Sequence, residues 1–290
     1  MVLATLLWGA TFVVIRDSLH AISPVVLVFG RFAAASVVLV VLAAPRWRRL
    51  TRSTLLGGAL AGVCFAGGYL SQAIGLTLTS AGSSAFLTCA GTLFAAVYAW
   101  PLLGQRPSGV LLQGVLLALA GSALLSLGAL GPHGLRLGAG ELWTLCGAAI
   151  FGLQVVALAR FAPGADGLVL GAVQALTVTV VLLPFMDGVV APFATLGAAD
   201  GWRFTYLVVA GSIVAPLLQI SAQRLLSAGR VALLFALEPV FAVVFALTLG
   251  SESFSPRWWL GAAFILAGVV RVEWSAAREP SRAGAPPAAA

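Results

Sequence analysis

Apolar residues run along this chain in blocks of about twenty, with arginine, proline and glycine gathered between the blocks. Within a block the apolar positions are continuous, so each is long enough to cross a hydrocarbon core of roughly 30 Å as a helix. The alternation that marks a membrane β-barrel is absent. The pattern predicts an all-α integral membrane fold of ten transmembrane helices, at residues 2–18, 25–44, 55–76, 81–101, 109–130, 139–160, 167–190, 203–225, 229–250 and 258–275. The first block is short, because Arg16 and Asp17 must lie at the interface. It has no basic region before it and no cleavage site, so it reads as a retained span. Pro24 is expected to open the second helix, where a missing backbone donor is harmless. The stretch after Trp274 is rich in Ala, Pro, Ser and Arg, and residues 276–290 are expected to form a disordered tail.

Two blocks repeat one another. Residues 227–252 begin Ser-Ala-Gly, and residues 80–105 are an altered copy lying 147 positions earlier. Ala85, Leu87, Phe94, Ala95, Val97, Ala99 and Leu102 match Ala232, Leu234, Phe241, Ala242, Val244, Ala246 and Leu249. The offset also pairs Gln72 with Gln219, Gly114 with Gly261, and Leu119-Ala120-Gly121 with Leu266-Ala267-Gly268. A register kept over some fifty residues indicates an internal duplication. The predicted units are residues 1–130 and 139–275, with five spans each. An odd number of spans inserts the second copy upside down, giving two inverted five-helix repeats. In membrane proteins that arrangement belongs to secondary transporters, with the site near the midplane.

Composition narrows the solvent. The chain is 61% apolar and 9% charged, against roughly 25% charged for a soluble domain, so its surroundings are lipid. The net charge of +7 is carried by arginines set singly between spans, which reads as topology and not as a nucleic-acid surface. Arg46, Arg48, Arg49 and Arg52 mark one loop as cytoplasmic by the positive-inside rule. With ten spans, eleven of sixteen arginines fall on that side against four outside, and both termini are cytoplasmic. Cys64, Cys89 and Cys146 lie inside apolar blocks without metal-ligand spacing, so no metal, cofactor or catalytic residue is assigned. Rows of small residues four apart, Gly58-Gly62-Ala66 and Gly114-Ala118-Ser122, suit close helix packing.

A few polar residues stand where lipid makes them costly. Glu238 is nine residues past Gly229, hence roughly 13 Å deep. A carboxylate there costs roughly 3 kcal/mol unless it is protonated, paired or wet. Pro239 removes a backbone donor beside it and is expected to kink the helix. Glu238 is either a binding and proton-carrying group or a structural acid bonded to the freed backbone. Arg31, seven residues past Pro24, is either a cavity cation, for substrate or for Glu238, or a side chain snorkelling to the headgroups. Gln72 and Gln219 can bond substrate or a neighbouring helix. Trp8, Tyr69 and Tyr98 can wall a cavity or simply pack. His20, His133, Asp187, Asp200 and Glu141 are expected in solvated loops.

Several of these residues carry a resemblance. Leu7-Trp8-Gly9 with Phe12, Arg31-Phe32, the two Ser-Ala-Gly turns, Glu238-Pro239, and Gly250 with Glu252 resemble the EamA-type ten-helix transporters of the drug/metabolite transporter superfamily. The resemblance spans about residues 2–275. The chain departs from the family at Thr92, where a proline is frequent, and at Gln105-Arg106, where the first copy ends without an acid. What the resemblance implies is a carrier of the bacterial inner membrane, often an exporter, for amino acids, related metabolites or drugs. The expected function is therefore alternating-access transport of a small polar or amphipathic molecule by Arg31, Glu238, Gln72, Gln219, Trp8, Tyr69 and Tyr98. Proton coupling through Glu238 and facilitated diffusion both stay open. The alternatives are a non-transporting scaffold or sensor and an integral-membrane enzyme; the enzyme reading lacks the clustered Asp, His or Glu it would need.

Overall fold

The protein is seen here as a computed structural model that describes residues 1–126, 138–186, 197–248 and 257–278. Its elements follow the apolar blocks. They are α1 (Val2–Ser18), α2 (Pro24–Ala43) with a 3-10 turn (Ala44–Arg49), α3 (Arg52–Leu78), α4 (Ala81–Cys89), α5 (Gly91–Leu103), α6 (Gly109–Ser126) and α7 (Ala139–Phe161). There follow α8 (Gly167–Leu182) with a 3-10 turn (Leu183–Phe185), α9 (Ala198–Tyr206), a π-helical segment (Leu207–Val214), α10 (Ala215–Gln223), α11 (Ala228–Phe235), α12 (Glu238–Thr248) and α13 (Arg257–Arg278). Among the described residues there is no strand. Among the same residues, eight helical stretches are long and apolar enough to cross a membrane. Against the ten expected, α1, with 17 residues, and α6, with its apolar run over Gly109–Leu124, are shorter.

Local chemistry explains where the helices start. Pro24 takes the first turn of α2 as expected. Both Ser-Ala-Gly turns place their serine at an N-cap, and the Ser80 hydroxyl accepts from the Ser83 N–H. The Asp166 carboxylate caps α8 by accepting from the N–H groups of Leu168 and Val169. Gly104 closes α5 in the left-handed conformation, with φ +68°, where a side chain would be strained. The last helix continues to Arg278 and not to 275, because Ala276, Ala277 and Arg278 are good helix formers and the next breaker is Pro280. Gly250, Glu252, His133, Arg136, Asp187 and the tail from 279 onward lie outside the described residues.

The span holding Glu238 is broken, as Pro239 foretells, by a turn at Ala236-Leu237 between α11 and α12. Its counterpart is broken too, at Ala90 between α4 and α5, although no proline stands there. Ala90 and Gly91 correspond to Leu237 and Glu238 under the 147-residue offset. Gly91 lies against the Ala148 carbonyl, so its small size seats the break on α7.

Large apolar side chains face outward, while the polar side chains within the apolar blocks are buried among the hydrophobic core. Val37, Val41, Leu116 and Trp259 are each more than 60% exposed, whereas Arg31, Gln72, Gln154, Gln174, Gln219 and Gln223 are each at most 5% exposed. That distribution suits lipid as the solvent.

Helix contacts in lipid rely on small residues, and here they come in matched pairs. On α6 and α13, Gly114 packs on Gly268 and Gly121 on Gly261, so the two helices run antiparallel. The offset exchanges these two contacts with each other. Gly9 packs on Phe241 and the Ala242 backbone, and Gly152 packs on their offset partners, Phe94 and the Ala95 backbone. A Cβ at Gly268 would stand 2.6 Å from the Gly114 carbonyl oxygen. Gly268→Val is therefore expected to force α6 and α13 apart and to lower stability by about 1–3 kcal/mol, read as a drop in Tm of the detergent-purified protein.

Candidate functional site

Where the broken helices meet the other half of the chain they leave a cavity. From residues 1–126 it is lined by Trp8 and Thr11 of α1, Phe65, Tyr69 and Gln72 of α3, and Thr88, Cys89 and Thr92 beside the first break. From the later residues come Phe151 and Gln154 of α7, Gln219 of α10, Phe235 of α11, and Glu238-Pro239 at the second break. Both breaks therefore open onto the same space. Five of the seven residues singled out from the sequence, Trp8, Tyr69, Gln72, Gln219 and Glu238, are brought together there.

Aromatic rings form most of the wall. Trp8 stacks on Phe235 with centroids 5.3 Å apart, and Phe65, Tyr69 and Phe151 form an edge-to-face triad at 5.0, 5.1 and 6.2 Å. Trp8 is fixed from behind, since its indole N–H donates to the Gly211 carbonyl at 3.0 Å. This carbonyl belongs to the π-helical segment, which shifts backbone groups out of the ordinary ladder.

The glutamines both face the cavity and bond a neighbouring helix. Gln72 donates to the Thr88 hydroxyl at 3.3 Å. Gln219 and Gln154 bond each other through both amides, at 2.8 and 3.3 Å, and Gln219 also donates to Gln223 at 3.0 Å. Gln223 donates to the Val155 carbonyl at 2.6 Å, which completes a buried amide chain between α7 and α10. Sequence reasoning missed Gln154, Thr88, Thr92 and the phenylalanines. Gln154 carried a usable signal, a carboxamide inside an apolar block; the phenylalanines carried none, because a cavity-lining Phe and a packed Phe look alike in sequence.

Two of the seven stand elsewhere. Arg31 does not line the cavity and does not pair with Glu238. It is 1% exposed behind Tyr69, with its Nε donating to the Ser212 hydroxyl at 2.7 Å and its guanidinium 4.6 Å from the Tyr69 ring centroid and 5.3 Å from that of Phe32. A stem of that length folds back into the protein because Ser212 and two rings offer it a seat. Tyr98 is not among the lining residues: it stacks on Phe94 at 6.0 Å in an apolar cluster with Ala95 and Ala99, which also takes in Val155, Ala232 and Phe235 of the cavity wall. Glu238 itself is half-buried, and no described side chain bonds or pairs with its carboxylate.

The halves are also tied at both ends of α2. After its C-terminus, Arg49 and Arg46 meet Asp166 at 3.0 and 3.9 Å; before its N-terminus, Asp17 meets Arg203 at 3.2 Å. Asp200 and Glu141, expected to be solvated, are engaged instead. Asp200 pairs with Arg203 at 3.0 Å, and Glu141 accepts from the Thr79 hydroxyl at 2.6 Å and from the Gly138 N–H, because each stands in the first turn of its helix beside a donor.

Partial burial pushes the Asp166 carboxyl up. The Val169 N–H, Arg49, the Leu168 N–H and Arg46 outweigh that effect and hold it below the ordinary aspartate value. A depressed folded value means the stabilisation is complete above the unfolded pKa of about 3.9 and is lost as pH falls through the folded value. Asp166→Ala is expected to lower stability by about 1 kcal/mol at pH 7, chiefly through the cap, since exposed pairs contribute little. Thermal melts at pH 7 and below pH 4 check this: the difference from wild type should shrink in acid.

Comparison with known proteins places these features. The sequence profile of the EamA-like transporter family matches residues 1–127 and 138–273. An Archaeoglobus fulgidus protein described as an uncharacterized transporter is 25% identical, over 94% of this chain and 84% of its own length. A Streptantibioticus cattleyicolor protein described as a probable terminal-alkyne amino-acid exporter is 27% identical, over 94% of this chain and 91% of its own. A solved crystal structure matches with a TM-score of 0.77 at 20% identity, covering 96% of each chain, which is a likeness of fold.

Proposed function

Since this chain belongs to the EamA-like transporter family, whose members here are named as transporters and not enzymes, we propose that it is a secondary carrier working by alternating access. Its cargo is a small polar or amphipathic metabolite, an amino acid or a related compound, and its direction is export. The bacterial inner membrane holds it, with both termini in the cytoplasm. Counting α1 and α6 with the eight longer stretches gives ten spans, arranged as two inverted repeats over residues 1–130 and 139–275.

The observation that carries this reading is the cavity at the two helix breaks. Equivalent positions of both copies interrupt their helices there, and each half contributes about equally to the wall. A carrier needs two states of similar energy, and exchange of roles between matched halves supplies them. Antiparallel contact of α6 with its own counterpart α13 supports the inversion, because a two-fold axis in the membrane plane pairs equivalent helices head to tail. Ion pairs between the halves at both ends of α2 fit a state closed on either side. Glu238, unpaired and open to the cavity, is the group through which proton coupling would run.

The test is counterflow in proteoliposomes. Purified protein preloaded with a panel of amino acids and derived metabolites should accelerate uptake of at least one labelled member over empty vesicles. Absence of exchange across the panel, with protein shown to be folded and inserted, would remove the carrier reading and leave a scaffold or sensor.

A further inference from the structure

The cavity's chemistry selects the charge of its occupant. Among the described residues, Glu238 is the one carboxylate that lines the space, it is unpaired, and no arginine lines the space. The buried guanidinium that could have balanced it, Arg31, is turned away behind Tyr69 and engaged by Ser212. An ionised carboxylate in a space walled mainly by apolar side chains is stable only with a countercharge, and here that charge has to arrive with a ligand or as a proton. The surrounding wall distinguishes the two. Trp8, Phe65, Tyr69, Phe151 and Phe235 present ring surface to the space, and ring faces attract a cation more strongly once water is excluded, whereas they offer nothing to a proton. One more group points the same way: the Thr92 hydroxyl lines the cavity, is 2% exposed and has no hydrogen-bond partner. In a cavity that also holds a carboxylate, a free hydroxyl oxygen can accept one N–H of an ammonium group.

We propose that the cavity binds organic ammonium cations: an amino group held by Glu238 and Thr92, with an apolar or aromatic body against the rings and no free carboxylate. A substrate carboxylate would find no cation in the space and would face Glu238, so a zwitterionic amino acid is disfavoured relative to the amine with the same side chain. This rests on the reading of the cavity as the transport site, and within the cargo proposed there it favours the related amines over the amino acids themselves.

Three probes share one phenyl body and differ in charge: phenethylamine, phenylalanine and phenylacetate. Calorimetric titration of the detergent-purified protein at pH 7 should show phenethylammonium binding at least tenfold more tightly than either of the others. In Glu238→Gln the gap should collapse, while Tm stays near that of wild type and micelle partitioning, the background, is unchanged. Equal or tighter binding of phenylalanine or phenylacetate would overturn the proposal, as would no binding of phenethylammonium. Binding is read separately from flux: selective binding without counterflow would sink the carrier reading alone, and counterflow of phenylacetate would sink this inference alone.

Discussion

Glu238→Gln is expected to leave the protein folded and inserted and to reduce transport by about ten- to a hundredfold. Glutamine keeps the volume and hydrogen-bonding reach of the side chain, so the break between α11 and α12, fixed by Pro239 and by the Phe241 N–H donating to the Leu237 carbonyl, survives. What is lost is charge at the cavity surface. A hydrogen bond to a charged group contributes about 1.5–3 kcal/mol, and 1.4 kcal/mol is a factor of ten in affinity; the same contact in the occluded state would act on the rate of exchange. Counterflow and Tm measured on one preparation separate the outcomes. Lost flux with an unchanged melt places Glu238 at the substrate. Unchanged flux would make it a structural acid at the helix break and remove it from the site.

How far the sequence foretold this cavity differs from element to element. Continuous apolar blocks set the helices to within a few residues, since an apolar run of that length has one stable form in lipid. The break at Pro239 was legible because a missing backbone donor is a chemical fact of the residue. The break at Ala90 was not: alanine is the best helix former, and the close seat of Gly91 on the Ala148 carbonyl of α7 is a tertiary contact that no local residue pattern announces. Nor was the π-helical segment at Leu207–Val214, which contains no residue that dictates i→i+5 bonding. It is held by tertiary contacts, with the Gly211 carbonyl accepting from Trp8 and the Ser212 hydroxyl accepting from Arg31 while donating to the Leu207 carbonyl. Depth along a helix can be counted from a sequence, which is why Glu238 and the paired glutamines were singled out. Direction around a helix cannot be counted where every face is apolar, which is why Arg31 and Tyr98 were expected in a wall they do not line.

Arg31 yields the other large effect. Substitution to lysine is expected to be at least as damaging as substitution to methionine, lowering stability by about 2 kcal/mol or more and transport at least tenfold. The guanidinium carbon lies over the Tyr69 ring, 4.6 Å from its centroid, while its Nε reaches Ser212, and one terminal nitrogen has no hydrogen-bond partner. Lysine keeps the charge but lacks both the plane that stacks and the fixed angle between its donors. Its ammonium would be buried with fewer partners, at a desolvation cost that a charge-free methionine avoids. A desolvated cation–π contact is worth about 2 kcal/mol, and that contact also holds Tyr69, whose ring is part of the cavity wall. The effect on transport therefore reaches the site through Tyr69 and through the π-helical segment that carries Trp8's acceptor. Thermal melts and counterflow of Arg31→Lys and Arg31→Met decide the matter. Wild-type stability and flux in the lysine variant would mean that a point charge suffices at this position, and the stacked, angle-dependent role assigned to the guanidinium would be wrong.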